Sequence, residues 1–193
     1  ELTHAHTRET SGIVLRIQPE GAAVFPDCDV RAQYQTMQLL KQAGLPVPGL
    51  MGLEMDPSVV GAPFFIMTRI DGQVPNENPL YHLEGWFHDL KPDAIKQCWF
   101  SGIEGLAKLA KLNWQSAGFQ FLLPPKEQSA LEHQIHYYEN MLRWSEQLSG
   151  KRYALLDRCL NWLHANQPTS DALSLSWGDA KLGNCVFQNG QLT

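Results

Sequence analysis

Asp179 and Asn184 are separated by four residues in Trp177-Gly178-Asp179-Ala180-Lys181-Leu182-Gly183-Asn184. A carboxylate can orient a hydroxyl group and accept its proton. A carboxamide oxygen is a neutral, hard ligand for a magnesium ion. Phosphoryl transfer uses that pair, because its catalysis is mostly positioning and charge neutralisation. Apolar runs lie on both sides, Leu173 to Trp177 before the loop and Cys185-Val186-Phe187 after it, and they predict a short strand on each flank. Asn189-Gly190 predicts a tight hairpin turn, since both residues tolerate positive φ. The plain alternative is a turn whose Asp and Asn simply bond to their own backbone.

Other side chains offer less. Arg16 interrupts the β-branched run Ile13-Val14-Leu15-Arg16-Ile17, either as a cation for a ligand phosphate or as a strand residue facing water. His4 and His6 lie near one end without a carboxylate cluster to complete a metal site. His133 and His136 have i,i+3 helical spacing, which surface or packed residues share with ligands. Thr10-Ser11-Gly12 has the composition of a phosphate-covering turn, but no G-x-G-x-x-G is present. The four cysteines, Cys28, Cys98, Cys159 and Cys185, have no C-x-x-C spacing and read as free thiols of a reducing compartment, so the expected location is cytoplasmic.

The elements that must position these groups follow from periodicity. Ile13–Ile17 reads as a strand, bounded by Gly12 and Pro19. Asp27 or Asp29 caps a helix to about Ala43, with Val30, Tyr34, Met37 and Leu40 on one face and Gly44 as its stop. Phe64 to Ile70 reads as a strand buried on both faces, closed by Asp71-Gly72. Gln73 to Tyr81, rich in Pro and Asn, reads as a linker. Helices follow: one from Pro92 with Ile95, Trp99, Ile103, Leu106 and Ala110 inward; one from Gln128 to about Gln147 with Leu131, Ile135, Tyr138 and Leu142 inward; one from Tyr153 to about Asn166 with Leu156, Cys159, Leu160 and Leu163 inward. The tryptophans Trp99, Trp144 and Trp162 read as core. The class is therefore α+β, with a division at residues 1–72 and 73–193.

Across 193 residues, 44% are hydrophobic and 18% charged, which suits a globular chain with one large domain or two small lobes. A net charge of −5 argues against general nucleic-acid binding, and no apolar run approaches the ~20 residues of a membrane helix.

The order of strand, helix, buried strand, linker, helices and D-x-x-x-x-N loop resembles the protein-kinase-like fold. The loop H-R-D-x-x-x-x-N of kinases has the same Asp-to-Asn spacing, with Trp177 and Gly178 here in the His and Arg positions. More closely, the chain is similar to the aminoglycoside phosphotransferase-like family of small-molecule kinases. Within it, the chain looks like the branch related to kinase-like domains of some acyl-CoA dehydrogenases. The match rests on Val14-Leu15-Arg16, Leu45-Pro46-Val47-Pro48, Gly61 to Met67, Asp71-Gly72 and Trp177 to Asn184.

The resemblance implies a two-lobe fold: a small strand-rich N-lobe with one helix, and a larger, mainly helical C-lobe bearing the catalytic loop at 177–184. It implies ATP and Mg2+ as cofactors and a small hydroxylated molecule as phosphate acceptor. It makes Asp179 the catalytic base, Asn184 a magnesium ligand and Arg16 the phosphate-binding cation. Met67, Thr68, Arg69 and Ile70 become the hinge that meets adenine, with Leu15 and Met67 lining the adenine slot.

The chain departs from the family pattern. Arg16 replaces the usual Lys, and Gln33 stands where the helix Glu is expected. Ala110 and Asn113 fall where relatives often carry His and Asp. The second metal-binding Asp would follow Thr193, so the sequence looks like a truncated C-lobe, with an expectation of weak nucleotide binding, exposed apolar surface and no competent turnover by itself. Two alternatives to a kinase stay open: a kinase-like binding module without catalysis, and an unrelated α+β domain with a chance loop.

Overall fold

The computed structural model describes residues 2–3, 10–19, 28–126, 128–169 and 172–193. His4, His6 and Asp27 lie outside the described residues. The described chain gathers into two compact units. The first comprises Glu1–Gln18, Asp29–Gly118 and Ser174–Thr193; the second comprises Pro19–Cys28 and Phe119–Leu173.

In the first unit, β1 (Leu2–Thr3) pairs antiparallel with β2 (Thr10–Ser11), so Thr10-Ser11 forms a ladder and not a turn. β3 (Ile13–Ile17), β4 (Leu50–Glu54) and β5 (Phe64–Thr68) form an antiparallel sheet with β5 central. The register runs from Ile13 opposite Thr68 to Ile17 opposite Phe64. β5 is shorter and less covered than the expected Phe64–Ile70 strand: Phe64 and Phe65 are buried, Ile66 and Met67 half-buried and Thr68 exposed. α1 (Val30–Gln42) begins at Asp29, whose Oδ1 accepts the N–H groups of Arg31 (2.8 Å) and Ala32 (3.3 Å). It packs on the sheet through Tyr34, edge-on to Phe65 at 5.9 Å. β4 was not expected. Leu-Met-Gly-Leu-Glu carries no β-branched residue, and its strand conformation comes from pairing with β5.

α2 (Pro92–Lys111) starts with proline at its first turn, as the sequence predicts. Its buried face differs from the expected stripe. Cys98, Ser101, Gly105 and Leu109 are buried, while Trp99, Ile103 and Leu106 are exposed. The reason is the β6 (Phe187–Gln188) and β7 (Gln191–Leu192) hairpin, whose Asn189-Gly190 turn takes positive φ at both residues. β7 comes so close to α2 that a Cβ on Gly105 would lie 2.5 Å from Leu192 Cδ2. Ser101 Oγ accepts the Leu192 N–H at 2.7 Å. Small residues make that approach possible, and a count of large apolar residues overlooks them. Gln73 to Tyr81 is likewise no free linker. Gln73 and Phe187 exchange backbone hydrogen bonds of 2.8 Å in both directions, Pro75 is fully buried, and Trp86 Nε1 donates to Val74 O.

In the second unit, α3 (Ala130–Ser149) opens on a capping serine: Ser129 Oγ accepts the Glu132 N–H at 3.1 Å. Gly150 ends it at φ +66°. α4 (Ala154–Ala165) follows. Ile135 and Leu160 are buried as expected, but Leu131, Tyr138, Leu156, Cys159 and Leu163 are exposed. Trp162 is 62% exposed and is not core. The turn between the helices is fixed by the buried Glu146, which accepts from Arg143 (2.9 Å), Arg152 (2.9 Å) and the Tyr153 N–H (3.0 Å). Among the described residues no helix is long and apolar enough to cross a membrane.

Candidate active site

The loop at 177–184 is built by alternating anchors and exposed polar groups. Leu173–Trp177 enters without forming a strand, contrary to expectation. Gly178 turns the chain at φ +75°. The Asp179 N–H then donates to Trp177 O at 3.0 Å, and the Lys181 N–H donates to Asp179 O at 3.1 Å. Leu182–Asn184 forms one 3₁₀ turn. Leu182, Cys185 and Phe187 are buried with Phe87 and Cys98, and Trp177 packs against that cluster. Burying each large apolar side chain is worth about 1.5–3 kcal/mol, so the loop is held from beneath. The polar side chains emerge on the other side, and that of Asp179 is 74% exposed.

This folding brings Asp179 and Asn184 together. Asn184 Nδ2 donates to Asp179 Oδ2 and to Asp179 O, both at 2.9 Å. A carboxylate only accepts, so the carboxamide must turn its NH2 toward it. Asn184 Oδ1 is left as a neutral oxygen donor beside an anionic carboxylate, a donor set that suits Mg2+.

Sequence reasoning missed two groups here. Lys181 Nζ lies 2.6 Å from Glu77 Oε1 and 3.6 Å from Asp179 Oδ2. The hydrogen bond to Glu77 foremost, with the charge of Asp179, raises the Lys181 ammonium above its ordinary range. The signal for Lys181 was its place two residues after Asp179. Glu77 carries no local signal, because the distant segment bearing it is brought in by the Gln73–Phe187 pairing. Gly72 permits that pairing: a Cβ there would lie 2.6 Å from Val186 Cγ1 and 2.8 Å from Phe187 O.

Beside the loop is a cavity of about 260 Å³, lined by Trp99, Ile103, Leu106, Trp177, Ala180 and Lys181 among others. The exposed apolar face of α2 is therefore one wall of a pocket that reaches the Asp179 loop.

The remaining predicted residues sit on the β3–β5–β4 sheet. Arg16 is exposed, and its Nε donates to Gln33 Oε1 on α1 at 3.3 Å. The register puts Arg16 opposite Phe65, Val14 opposite Met67 and Leu15 opposite Ile66. Cross-strand partners share a face and successive residues alternate. Leu15 and Met67 thus lie on opposite faces and cannot line one slot together; Val14 is the residue that shares a face with Arg16 and Met67. In the segment expected to be the hinge, the Thr68 N–H donates to Gly49 O (2.8 Å) and the Arg69 N–H to Gly12 O (2.9 Å), while Arg69 pairs with Asp71 at 3.2 Å. Those two N–H groups are committed to the sheet. Ile70, the last residue of the expected hinge, lies beyond the ladder.

Comparison with known proteins places this architecture. In the mouse (Mus musculus), acyl-CoA dehydrogenase family member 10 is 24% identical over 175 residues, covering 91% of this chain and 15% of that protein. Human (Homo sapiens) acyl-CoA dehydrogenase family member 11 is 26% identical over 186 residues, covering 90% of this chain and 21% of that protein. The chain thus spans about a fifth of the length of these relatives. A Ralstonia eutropha protein described as an aminoglycoside phosphotransferase superposes with a TM-score of 0.67 at 22% identity, over 93% of this chain and 50% of that one. The shared fold is kinase-like, mixed α+β. The family model for the phosphotransferase enzyme family matches residues 4–193, nearly end to end, and the chain belongs to that family.

Proposed function

We propose that this chain is an ATP-dependent phosphotransferase domain that moves the γ-phosphoryl group to a hydroxyl of a small molecule. The observation that carries the reading is the approach of Asn184 to Asp179 at 2.9 Å within a loop anchored by buried Leu182, Cys185 and Phe187. In this reading Asp179 Oδ1 orients the acceptor hydroxyl and takes its proton, while Oδ2 is steadied by Asn184. Asn184 Oδ1 would hold Mg2+, and the ion, when bound, neutralises charge on the nucleotide phosphates. Lys181 puts a positive charge beside the same carboxylate, with Glu77 fixing its ammonium. The acceptor occupies the cavity walled by Trp99, Ile103 and Trp177. Its apolar lining suits a molecule with a hydrophobic body and a hydroxyl at the Asp179 end. Arg16 binds phosphate, Val14 and Met67 contact adenine, and the backbone at Ile70 supplies the hinge hydrogen bond.

The test is ADP release with ATP and Mg2+ across a panel of hydroxylated metabolites. Asp179→Asn is expected to lower turnover by about 10²–10⁴-fold and to leave ATP affinity nearly unchanged. Equal turnover in both proteins removes Asp179 from the chemistry. A second reading, a binding module without catalysis, draws on the neutral Gln33 that partners Arg16. It predicts Mg2+-dependent nucleotide binding with no ADP release for any acceptor.

A further inference from the structure

The second unit carries a cluster that the phosphotransferase chemistry does not use. His136 and Glu139 lie one turn apart on α3, and His164 is near the end of α4. One ring nitrogen of each histidine and one carboxylate oxygen of Glu139 lie within 4.8 Å of one another. His164 Nε2 is 3.3 Å from Glu139 Oε2, and the two imidazole rings are 5.3 Å apart. All three residues are half-buried. We propose that His136, Glu139 and His164 form a zinc-class site that clamps α3 to α4.

The geometry suits such an ion. Zn2+ binds nitrogen and oxygen at about 2.0–2.2 Å in a tetrahedron, which sets its ligand atoms about 3.4 Å apart. The His164–Glu139 pair already has that separation, and small side-chain rotations bring in the His136 nitrogen. Two histidines and a carboxylate leave the fourth position to water. The surroundings supply orienting partners. Arg143 Nη2 is 3.7 Å from Glu139 Oε1, which leaves Oε2 for the ion. Gln128 contacts His136 Nδ1 at 3.4 Å and His133 Nδ1 at 3.3 Å. Gln128 Nε2 is the atom facing His136 Nδ1, and Oε1 faces His133 Nδ1; turning the amide end for end would let Oε1 accept from His136 Nδ1–H and leave His136 Nε2 as the ligand. The unit also gains from a clamp. Between them, α3 and α4 bury only Ile135, Glu146 and Leu160 among the described residues. Small units with thin cores are commonly stapled by a metal or a disulfide.

The experiment uses the full chain, freed of metal with a chelator, in a His4→Ala/His6→Ala background so that those histidines are not counted. Calorimetric titration with Zn2+ is expected to give one ion per chain at micromolar affinity or tighter. His136→Gln and His164→Gln should each weaken binding about tenfold or more. Zn2+ should raise the thermal midpoint of the parent and leave that of each variant nearly unmoved. Circular dichroism reports whether each variant keeps its helices. Co2+ provides an arm that needs no variant: one equivalent should give ligand-field bands without thiolate charge transfer, because exposed Cys159 is not a ligand. Thiolate bands, unaltered affinity in both folded variants, or no binding by the parent below about 100 μM would overturn the site. The last outcome leaves His164–Glu139 as a plain ion pair between helices.

Discussion

Arg16 shows how much a single side chain can say. It sits in an apolar strand of the small sheet, yet it is exposed and shares a face with Val14 and Met67. Its partner is the carboxamide of Gln33, so the guanidinium is steadied but not neutralised. A cation kept unneutralised is available to a phosphate, and hydrogen bonds between charged groups are worth about 1.5–3 kcal/mol. Arg16→Ala is therefore expected to weaken ATP binding about ten- to a hundredfold, while the exposed position keeps the thermal midpoint close to that of the parent. Calorimetry with ATP and Mg2+, beside a thermal melt, checks both halves. Equal affinity would make Arg16 an ordinary strand residue. Lys is not an equivalent replacement, because it loses the planar fork that Gln33 holds through Nε.

At the scale of elements, local signals were legible and pairings were not. The Asp29 cap, Pro92 at the start of α2 and the Asn189-Gly190 turn are decided by a few neighbouring residues, so the sequence displays them. β4 exists because β5 pairs with it. The buried face of α2 is set by β7, which selects Ser101 and Gly105 over Trp99 and Ile103. Asp179 and Asn184 were legible through their spacing; Lys181–Glu77 was not, because it closes between distant segments. Of the His136–Glu139–His164 cluster the sequence singled out only His136, and paired it with His133; Glu139, and His164 on α4, complete it. The α3–α4 turn yields a prediction of its own. Glu146 is held below the usual carboxylate range, first by the Tyr153 N–H and then by Arg143 and Arg152. A carboxyl whose folded pKa is depressed stabilises the fold above its unfolded value and loses that contribution as pH falls through the folded value. The helix pair should therefore weaken from about pH 4.3 downward. Glu146→Gln should lower the melting temperature at neutral pH and flatten this acid limb. An acid limb of unchanged slope in Glu146→Gln would assign the loss to other carboxylates.

For the whole molecule, the distribution of buried apolar groups predicts unequal stability of the two units. The first unit buries Val30, Ala62, Phe64, Phe65, Phe87, Cys98, Leu109, Leu182, Cys185 and Phe187. The described part of the second buries Phe119, Ile135 and Leu160, and exposes Leu155, Leu156 and Trp162. Burial is the dominant favourable contribution to folding, so in metal-free protein the second unit should open at lower denaturant than the first. The cysteines report this without any substitution. Cys159 is exposed on α4 and should react with a thiol reagent in native buffer. Cys98 and Cys185 are buried in the cluster beneath the Asp179 loop, and burial pushes both thiols up, away from the reactive thiolate. Their modification requires that cluster to open. With rising urea, helix content read by circular dichroism should fall in a first step while Cys98 and Cys185 stay protected. Their labelling should follow in a second step, together with loss of nucleotide binding. One transition common to all three readouts would show instead that the two units fold as a single cooperative body, with the Asp179 loop depending on α3 and α4 for its stability.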